Sequence, residues 1–230
     1  ALTTIRCRAG SVVTAAARIL GSAQPGWLGL ALLAVSLQLW LSAIRWKITA
    51  GRLGQSFGVG AAIREYYLSQ LVNQTLPGGM IGDANRAVRA RHRAGIVRAG
   101  QAVVFERVAG QAALFGVMGG ALAVTAVVPG GPVWPSWLVS TVALVCAGAA
   151  GVGLTAHLGA RLPGRAGRAL DDLRSAFRTA LLARQVLPAQ VVLSLATTLC
   201  NIAAFALCAR ATGTILPTSA ALVLVPAILC

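Results

Sequence analysis

The chain has 230 residues, of which 57% are hydrophobic and only 11% charged. A soluble domain carries about 25% charged residues, so with a mean hydropathy of +0.77 the composition points to a polytopic α-helical membrane protein. A net charge of +15 on a soluble chain would direct attention to nucleic acid, but here the arginines flank apolar runs, where they set topology and meet anionic headgroups; nucleic-acid binding is excluded on that ground.

Residues 1–24 combine Arg6, Arg8 and Arg18 with Val12, Val13, Ile19 and Leu20. They read as a short interfacial helix or the tail of a preceding span, closed by Pro25-Gly26. Trp27 to Ile44 is the first clear span, with Trp27, Trp40 and Trp46 suited to the interfaces. Arg45, Lys47 and Arg52 follow as a basic cluster.

The next stretch is mixed. Leu68, Leu71 and Val72 give an apolar stripe, while Glu65, Ser69 and Asn73 recur four apart on another face. Pro77, Gly78, Gly79 and Gly82 break the helix. A second helix is expected from Asp83, with Arg86, Arg89 and Arg93 along it. Val108–Val128 is a span, and Gln101, Glu106 and Arg107 precede it. Pro129–Pro135 turns the chain, and Trp137–Ala156 returns it. Leu158–Gln185 is a basic loop with an amphipathic piece, Leu170, Leu173 and Phe177 against Arg174 and Arg178. Val186–Ala209 is a further span, and another begins near Ser219. The start at Ala1, and the end at Cys230 within an apolar run too short to span, read as a chain truncated at both ends. The expected fold is an all-α transmembrane bundle containing a re-entrant or broken-helix segment, organised as residues 1–24 and a membrane domain over 25–230.

Topology follows from arginine placement. The clusters at 45–52, 86–98 and 161–184 belong on the cytoplasmic side. They agree only if residues 55–85 cross the bilayer an even number of times. No apolar run there suffices for two crossings, so the segment dips in and returns or lies at the surface. Arg6, Arg8 and Arg18 run against this assignment and are outnumbered.

The chain has five acidic residues, and three of them, Glu65, Asp83 and Glu106, fall within this central stretch. A charge at mid-membrane costs roughly 2.5–3.5 kcal/mol on insertion scales, which by default marks a functional site. The Pro-Gly-Gly turn frees backbone N–H groups at a half-helix N-terminus, and Arg86 lies one turn in. Together they would receive an anion such as a lipid phosphate. Asp83 is equally readable as an N-cap for Asn85 or Arg86. Glu65 and Glu106 are expected to pair across helices with Arg86 or Arg107, since the adjacent Arg64 and Arg107 point about 100° away on a helix. Such pairs are either a structural clamp or the lining of a polar path. Asp171-Asp172 reads as ordinary first-turn charge. Gly116–Gly120 and Ala149/Gly153 read as small-residue packing faces. Cys7, Cys146, Cys200, Cys208 and Cys230 form no CxxC pair, and His92 and His157 have no partner at ligand spacing, so no metal, cofactor or disulfide framework is expected.

Tyr66-Tyr67, Leu76-Pro-Gly-Gly79, Gly82-Asp83, Arg86 and Glu106-Arg107 resemble the transmembrane-region family of lysylphosphatidylglycerol synthases, the flippase-like domain proteins. Ala43-Ile-Arg-Trp46 and Ala211–Pro217 also look like that family's pattern, and the resemblance covers about residues 27–230. It implies a multi-pass plasma-membrane protein. In the best-understood members this domain moves aminoacylated phosphatidylglycerol to the outer leaflet, while a separate soluble domain makes the lipid. No such catalytic domain is present in this sequence, and the family's later Pro-Ser…Gly-Gly…Arg-Glu motif is not reached.

The substrate-binding set read from these features is Glu65, Tyr67, Asn73, Gly78, Gly79, Gly82, Asp83, Arg86, Glu106 and Arg107, with no catalytic residue. Three functions fit it. The first is a flippase or translocase for a phospholipid or lipid-linked headgroup. The second is an integral-membrane transferase using Asp83 or Glu106 as acid or base. The third is a membrane scaffold for a partner transferase. The expected partner is membrane lipid with an anionic or lipid-linked headgroup.

Overall fold

The computed structural model describes residue 21 and residues 23–76, 79–127, 134–159 and 164–229. The interfacial helix expected before residue 21, the Pro77-Gly78 step and most of the 129–135 turn lie outside the described residues. Every regular element described is helical.

Helix α1, Pro25–Arg52, is longer than the apolar run that announces it. Pro25 opens it, where a missing N–H costs nothing. It closes at Gly54, whose φ of +86° lets the Gln55 N–H return to the Ala50 carbonyl at 2.9 Å, a left-handed termination that glycine adopts without strain. Helix α2 is Val59–Thr75. Helix α3, Ile81–Val127, is broken at Ala94 and Gly95, where φ is −148° and +81°. Its first part packs against α2. Its second part, Ala94–Val127, is one apolar helix of 34 residues. Glu106 and Arg107 therefore sit inside this helix rather than ahead of it, and the helix itself starts at Ile81, two residues before the expected Asp83.

Helix α4 is Ser136–Gly159. Helix α5, Arg165–Phe177, runs into a π-helical turn, Arg178–Leu182. Helix α6 is Leu187–Ala211, again opened by a proline. Helix α7 is Thr218–Leu229, with Pro226 inside it.

Among the described residues three helices are long and apolar enough to cross a membrane, Pro25–Arg52, Ala94–Val127 and Leu187–Ala211. Their apolar side chains mostly face outward, with Leu32 and Leu33 about two-thirds exposed. A contiguous surface of that kind is untenable in water and is what lipid solvates. The protein is a membrane-embedded all-α bundle. Its most extensive contact joins α1 to α6, and α3 runs alongside α1, α2, α6 and α7.

The main core lies at one end of this bundle. Ala43, Trp46 and Ala50 of α1, Ala62 and Tyr66 of α2, and Ala102 and Phe105 of α3 meet Ala176, Ala180 and Leu181 from α5 and its π-turn. Small residues on several helices allow close approach, and the aromatic rings fill the remaining space. Phe105 and Phe177 meet edge to face with ring centroids 5.2 Å apart. The amphipathic piece expected in the basic loop is thus anchored in the core through Phe177 and Ala176, while Leu173 stays on the surface.

Candidate ion-pair centre

The polar stripe of α2 finds its partners on the first part of α3. Glu65 accepts from the Arg89 Nε at 2.5 Å, the Ser69 hydroxyl donates to Asp83 at 3.0 Å, and the Asn73 side-chain oxygen accepts the Gly82 N–H at 2.8 Å. As the residue number rises on α2 it falls on α3, so the two form an antiparallel hairpin. Gly82 is required there by space. A Cβ on it would stand 2.0 Å from the Ser69 carbonyl oxygen. Gly79, with φ +61°, takes the left-handed conformation of the turn.

Behind this hairpin lies a buried ionic network. Glu106 and Arg86 are each 1% exposed, and Arg45 is 4% exposed. Glu106 Oε1 accepts from Arg45 Nη2 at 2.6 Å and from the Tyr66 hydroxyl at 3.3 Å. Its other oxygen accepts from Arg86 Nη2 at 3.4 Å. Arg86 Nη2 also donates to Asp83 Oδ1 at 3.1 Å, and Arg107 Nε donates to Asp83 Oδ2 at 2.8 Å. The Arg86 guanidinium is held between the Trp46 and Tyr66 rings, 4.6 Å from each centroid. A desolvated cation–π contact of this kind is worth about 2 kcal/mol. Arg45 continues the network into α6, donating to the Ser194 hydroxyl at 3.0 Å. One turn away, Gln190 donates to Thr49 at 2.9 Å. Gly110 makes room for the Arg45 guanidinium, which lies 3.0 Å from where a Cβ would be.

Three arginines thus face two carboxylates among helices that are otherwise apolar. Such a pairing offsets its desolvation only with good geometry and further hydrogen bonds, and every oxygen of both carboxylates here accepts from an arginine. The donors are less fully served. Arg86 Nε and Nη1, Arg45 Nε, Trp46 Nε1 and Arg89 Nη2 have no hydrogen-bond partner among the described residues.

Of the ten residues read from the sequence, Asp83, Arg86, Glu106 and Arg107 come together in one network, and Glu65, Asn73 and Gly82 close the hairpin beside it. The expected partner sets change in detail. Glu65 pairs with Arg89 rather than with Arg86 or Arg107, because its position on α2 faces the outer end of the α3 half-helix. Its neighbour Arg64 reaches it as well, at 3.7 Å, with a side chain 77% exposed. Arg107 serves Asp83 instead of Glu106. The Asp83 carboxylate is turned toward Ser69, Arg86 and Arg107, side-chain partners that a plain cap does not have. Tyr67 points away from the network and donates to the Ser36 carbonyl at 3.4 Å. Gly78 lies outside the described residues.

Four participants were not placed in the site by sequence reasoning, although Tyr66, Arg45 and Trp46 lie in stretches that carry the family resemblance. Arg45 looked like a flanking topology arginine, Tyr66 is the neighbour of the tyrosine chosen, and Trp46 was assigned to an interface. Ser194 sits in a span with no acidic or basic residue nearby. A signal did exist: Ser42, Arg45 and Thr49 recur at helical spacing in α1, as do Gln190, Ser194 and Thr197 in α6. Two polar stripes in apolar helices predict that the helices face each other.

Among the described residues no three His, Cys, Asp or Glu side chains gather at metal-ligand spacing. The chemistry available is the holding of charge, above all of anions, by arginines in a medium of low polarity. No match is found among characterised proteins or among solved structures. The sequence profile of one family, described as the lysylphosphatidylglycerol synthase TM region, matches residues 10–230. A match of that length, over helices that bury the motif residues Gly82, Asp83, Arg86 and Glu106 around one centre, places the chain in the lysylphosphatidylglycerol synthase TM region family.

Proposed function

We propose that this protein is a multi-pass plasma-membrane translocase for a phospholipid or lipid-linked headgroup, with residues 25–230 as the translocating domain. The observation that carries the reading is the excess of arginine over carboxylate in the network, where buried Arg45 and Arg86 and a half-exposed Arg107 meet buried Asp83 and Glu106, together with the unpartnered donors of Arg86. A net positive centre between apolar helices lowers the cost of carrying an anionic headgroup through the hydrocarbon. The α2–α3 hairpin supports it further. At about 1.5 Å per residue the 17 residues of α2 reach roughly 25 Å, short of the ~30 Å hydrocarbon core, as a re-entrant element would be.

The carriers of the proposed function are Arg86, Asp83, Glu106 and Arg107, with Glu65, Asn73, Gly79 and Gly82 shaping the hairpin. The half-helix N-terminus is a weaker candidate for the headgroup phosphate than Arg86, since Asn73 already occupies the Gly82 N–H. A transferase would need Asp83 or Glu106 to take a proton from substrate, and arginines hold every oxygen of both. An assembly scaffold would present charges to a partner protein, whereas Arg45, Arg86, Asp83 and Glu106 are buried within the chain.

The experiment is reconstitution of the purified protein into vesicles with a headgroup-labelled fluorescent phosphatidylglycerol. Transbilayer movement is read by an externally added quencher. Movement faster than in protein-free vesicles supports translocation. Movement at the protein-free rate, with product forming from a labelled lipid-linked donor, would replace it with the transferase reading.

A further inference from the structure

A small cavity opens on the side of Arg86 away from Glu106. It has a volume of about 100 Å³ and is lined by Trp46, Phe57, Ala61, Arg64, Glu65, Arg86, Arg89 and Ala90. Three of the eight are arginines and one is a carboxylate, so the lining is positive. The Arg86 side chain is fully buried. Aromatic rings cover both its faces, and its Nη2 is spent on Asp83 and Glu106. Its Nε and Nη1 are covered and lack a partner. Trp46 Nε1 and Arg89 Nη2, from two more lining residues, lack one as well. Glu65 holds Arg89 by its Nε and leaves the outer nitrogen unspent.

Buried donors are ordinarily satisfied, and each one left bare costs about 1–3 kcal/mol, more when charged. Four bare donors on three lining residues, against one carboxylate, Glu65, that is already paired with Arg89, describe a site for a group that accepts. The volume equals roughly three waters at ~30 Å³ each, which suits a tetrahedral oxyanion and is too small for an acyl chain. The exposed Arg64 at the mouth adds attraction for an incoming anion.

We infer that the cavity between Trp46, Arg86 and Arg89 is an oxyanion site that takes a phosphate group, with Arg86 and Trp46 at its floor and Arg89, oriented by Glu65, at its rim. Its assignment to a lipid headgroup rests on the translocase reading above; its assignment to phosphate does not. The tetrahedral group exchanges its hydration for two donors on Arg86 and one each on Trp46 and Arg89, which a small shift of the lining side chains must uncover, since all four are covered here. It does so without disturbing the Glu106 pairing behind them.

The test uses the full chain purified in detergent. Thermal stabilisation is titrated with inorganic phosphate against chloride at equal ionic strength, and with dihexanoyl phosphatidylglycerol against dihexanoylglycerol. Two variants accompany the wild type. Trp46→Phe keeps the ring over Arg86 and removes one donor. Ala61→Leu fills the cavity from its exposed wall and touches no donor. The site predicts stabilisation by at least one phosphate probe beyond its control, with apparent affinity about tenfold lower in Trp46→Phe, the loss expected for one hydrogen bond to a charged group, and at least as large a loss in Ala61→Leu, whose added side chain occupies the cavity. Response to inorganic phosphate identifies a site for the free group, and response to the phospholipid alone identifies a headgroup site. Absence of response to both probes, or an Ala61→Leu protein that binds like wild type, overturns the proposal. Phosphate binding that persists in a protein inactive in vesicles would remove the lipid assignment and keep the site. Active translocation without binding would remove the site and keep the translocase.

Discussion

Arg45 and Glu106 meet at 2.6 Å across 61 positions of sequence, both buried and each on a different membrane-length helix. The pair fastens α1 to α3, and Ser194 on α6 completes the tie. Removing one partner would leave an uncompensated charge, a loss of about 3–5 kcal/mol. Glu106→Ala is the more severe case, because it deprives Arg45, Arg86 and Tyr66 together. Arg45→Met/Glu106→Leu replaces the pair by apolar groups of similar volume and should recover much of that loss. A double-mutant cycle read by thermal or denaturant unfolding in detergent checks this. An apolar pair no more stable than Glu106→Ala would contradict the assignment.

The two turn glycines should respond differently. Gly82→Ala drives a Cβ into the Ser69 carbonyl oxygen, which must push α2 and α3 apart and break the Asn73 and Ser69 bonds with them. Gly79→Ala meets open space and pays only for its left-handed backbone, about 1–2 kcal/mol. Melting temperatures should therefore fall much further for Gly82→Ala. Equal losses would show that helix contact at Gly82 is not what the glycine serves.

Asn73 caps the same half-helix through the Gly82 N–H. Asn73→Ala should cost about 1 kcal/mol, as for loss of a side-chain cap, and Asn73→Asp should retain most of the stability, since a carboxylate also accepts at a helix N-terminus. Amide hydrogen exchange at Gly82 and its neighbours is the measurement. Protection unchanged in Asn73→Ala would refute the cap.

Phe177 ties the basic surface helix to the core through its edge contact with Phe105, one residue from Glu106. Phe177→Ala should lower stability by about 1–3 kcal/mol, less than a fully buried Phe would. It should also make Arg174 and Arg178 more accessible to protease. Leu173→Ala, on the exposed side of the same helix, should do neither.

How much of this was legible depends on spacing. Glu65, Ser69 and Asn73 stand four apart, so a single face was evident before any partner was known, and Pro77 with its glycines announced the break. The apolar runs located the three membrane-length helices, Pro25–Arg52, Ala94–Val127 and Leu187–Ala211, because bilayer thickness fixes the length of a span. Arg45 stayed hidden because an arginine at the end of an apolar run ordinarily sets topology, and nothing nearby distinguishes one that turns inward. Tyr66 and Tyr67 are adjacent and differ only in direction, which helix packing decides. The break at Ala94-Gly95 was missed because one glycine inside a basic run is a weak stop signal, and so Glu106 was placed ahead of its helix instead of within it.

The central claim is that the Glu106 network works on a passing headgroup and is more than a clamp. Glu106→Gln tests it most directly, since the amide keeps the shape and can still accept from Arg45 while removing the charge. Translocation of fluorescent phosphatidylglycerol in reconstituted vesicles should be compared with wild type at equal amounts of folded protein, verified by its unfolding transition. The prediction is a folded protein whose translocation falls at least about tenfold, a change of roughly 1.4 kcal/mol in the barrier. A folded Glu106→Gln protein that moves lipid at the wild-type rate would contradict it and reduce the network to a structural tie.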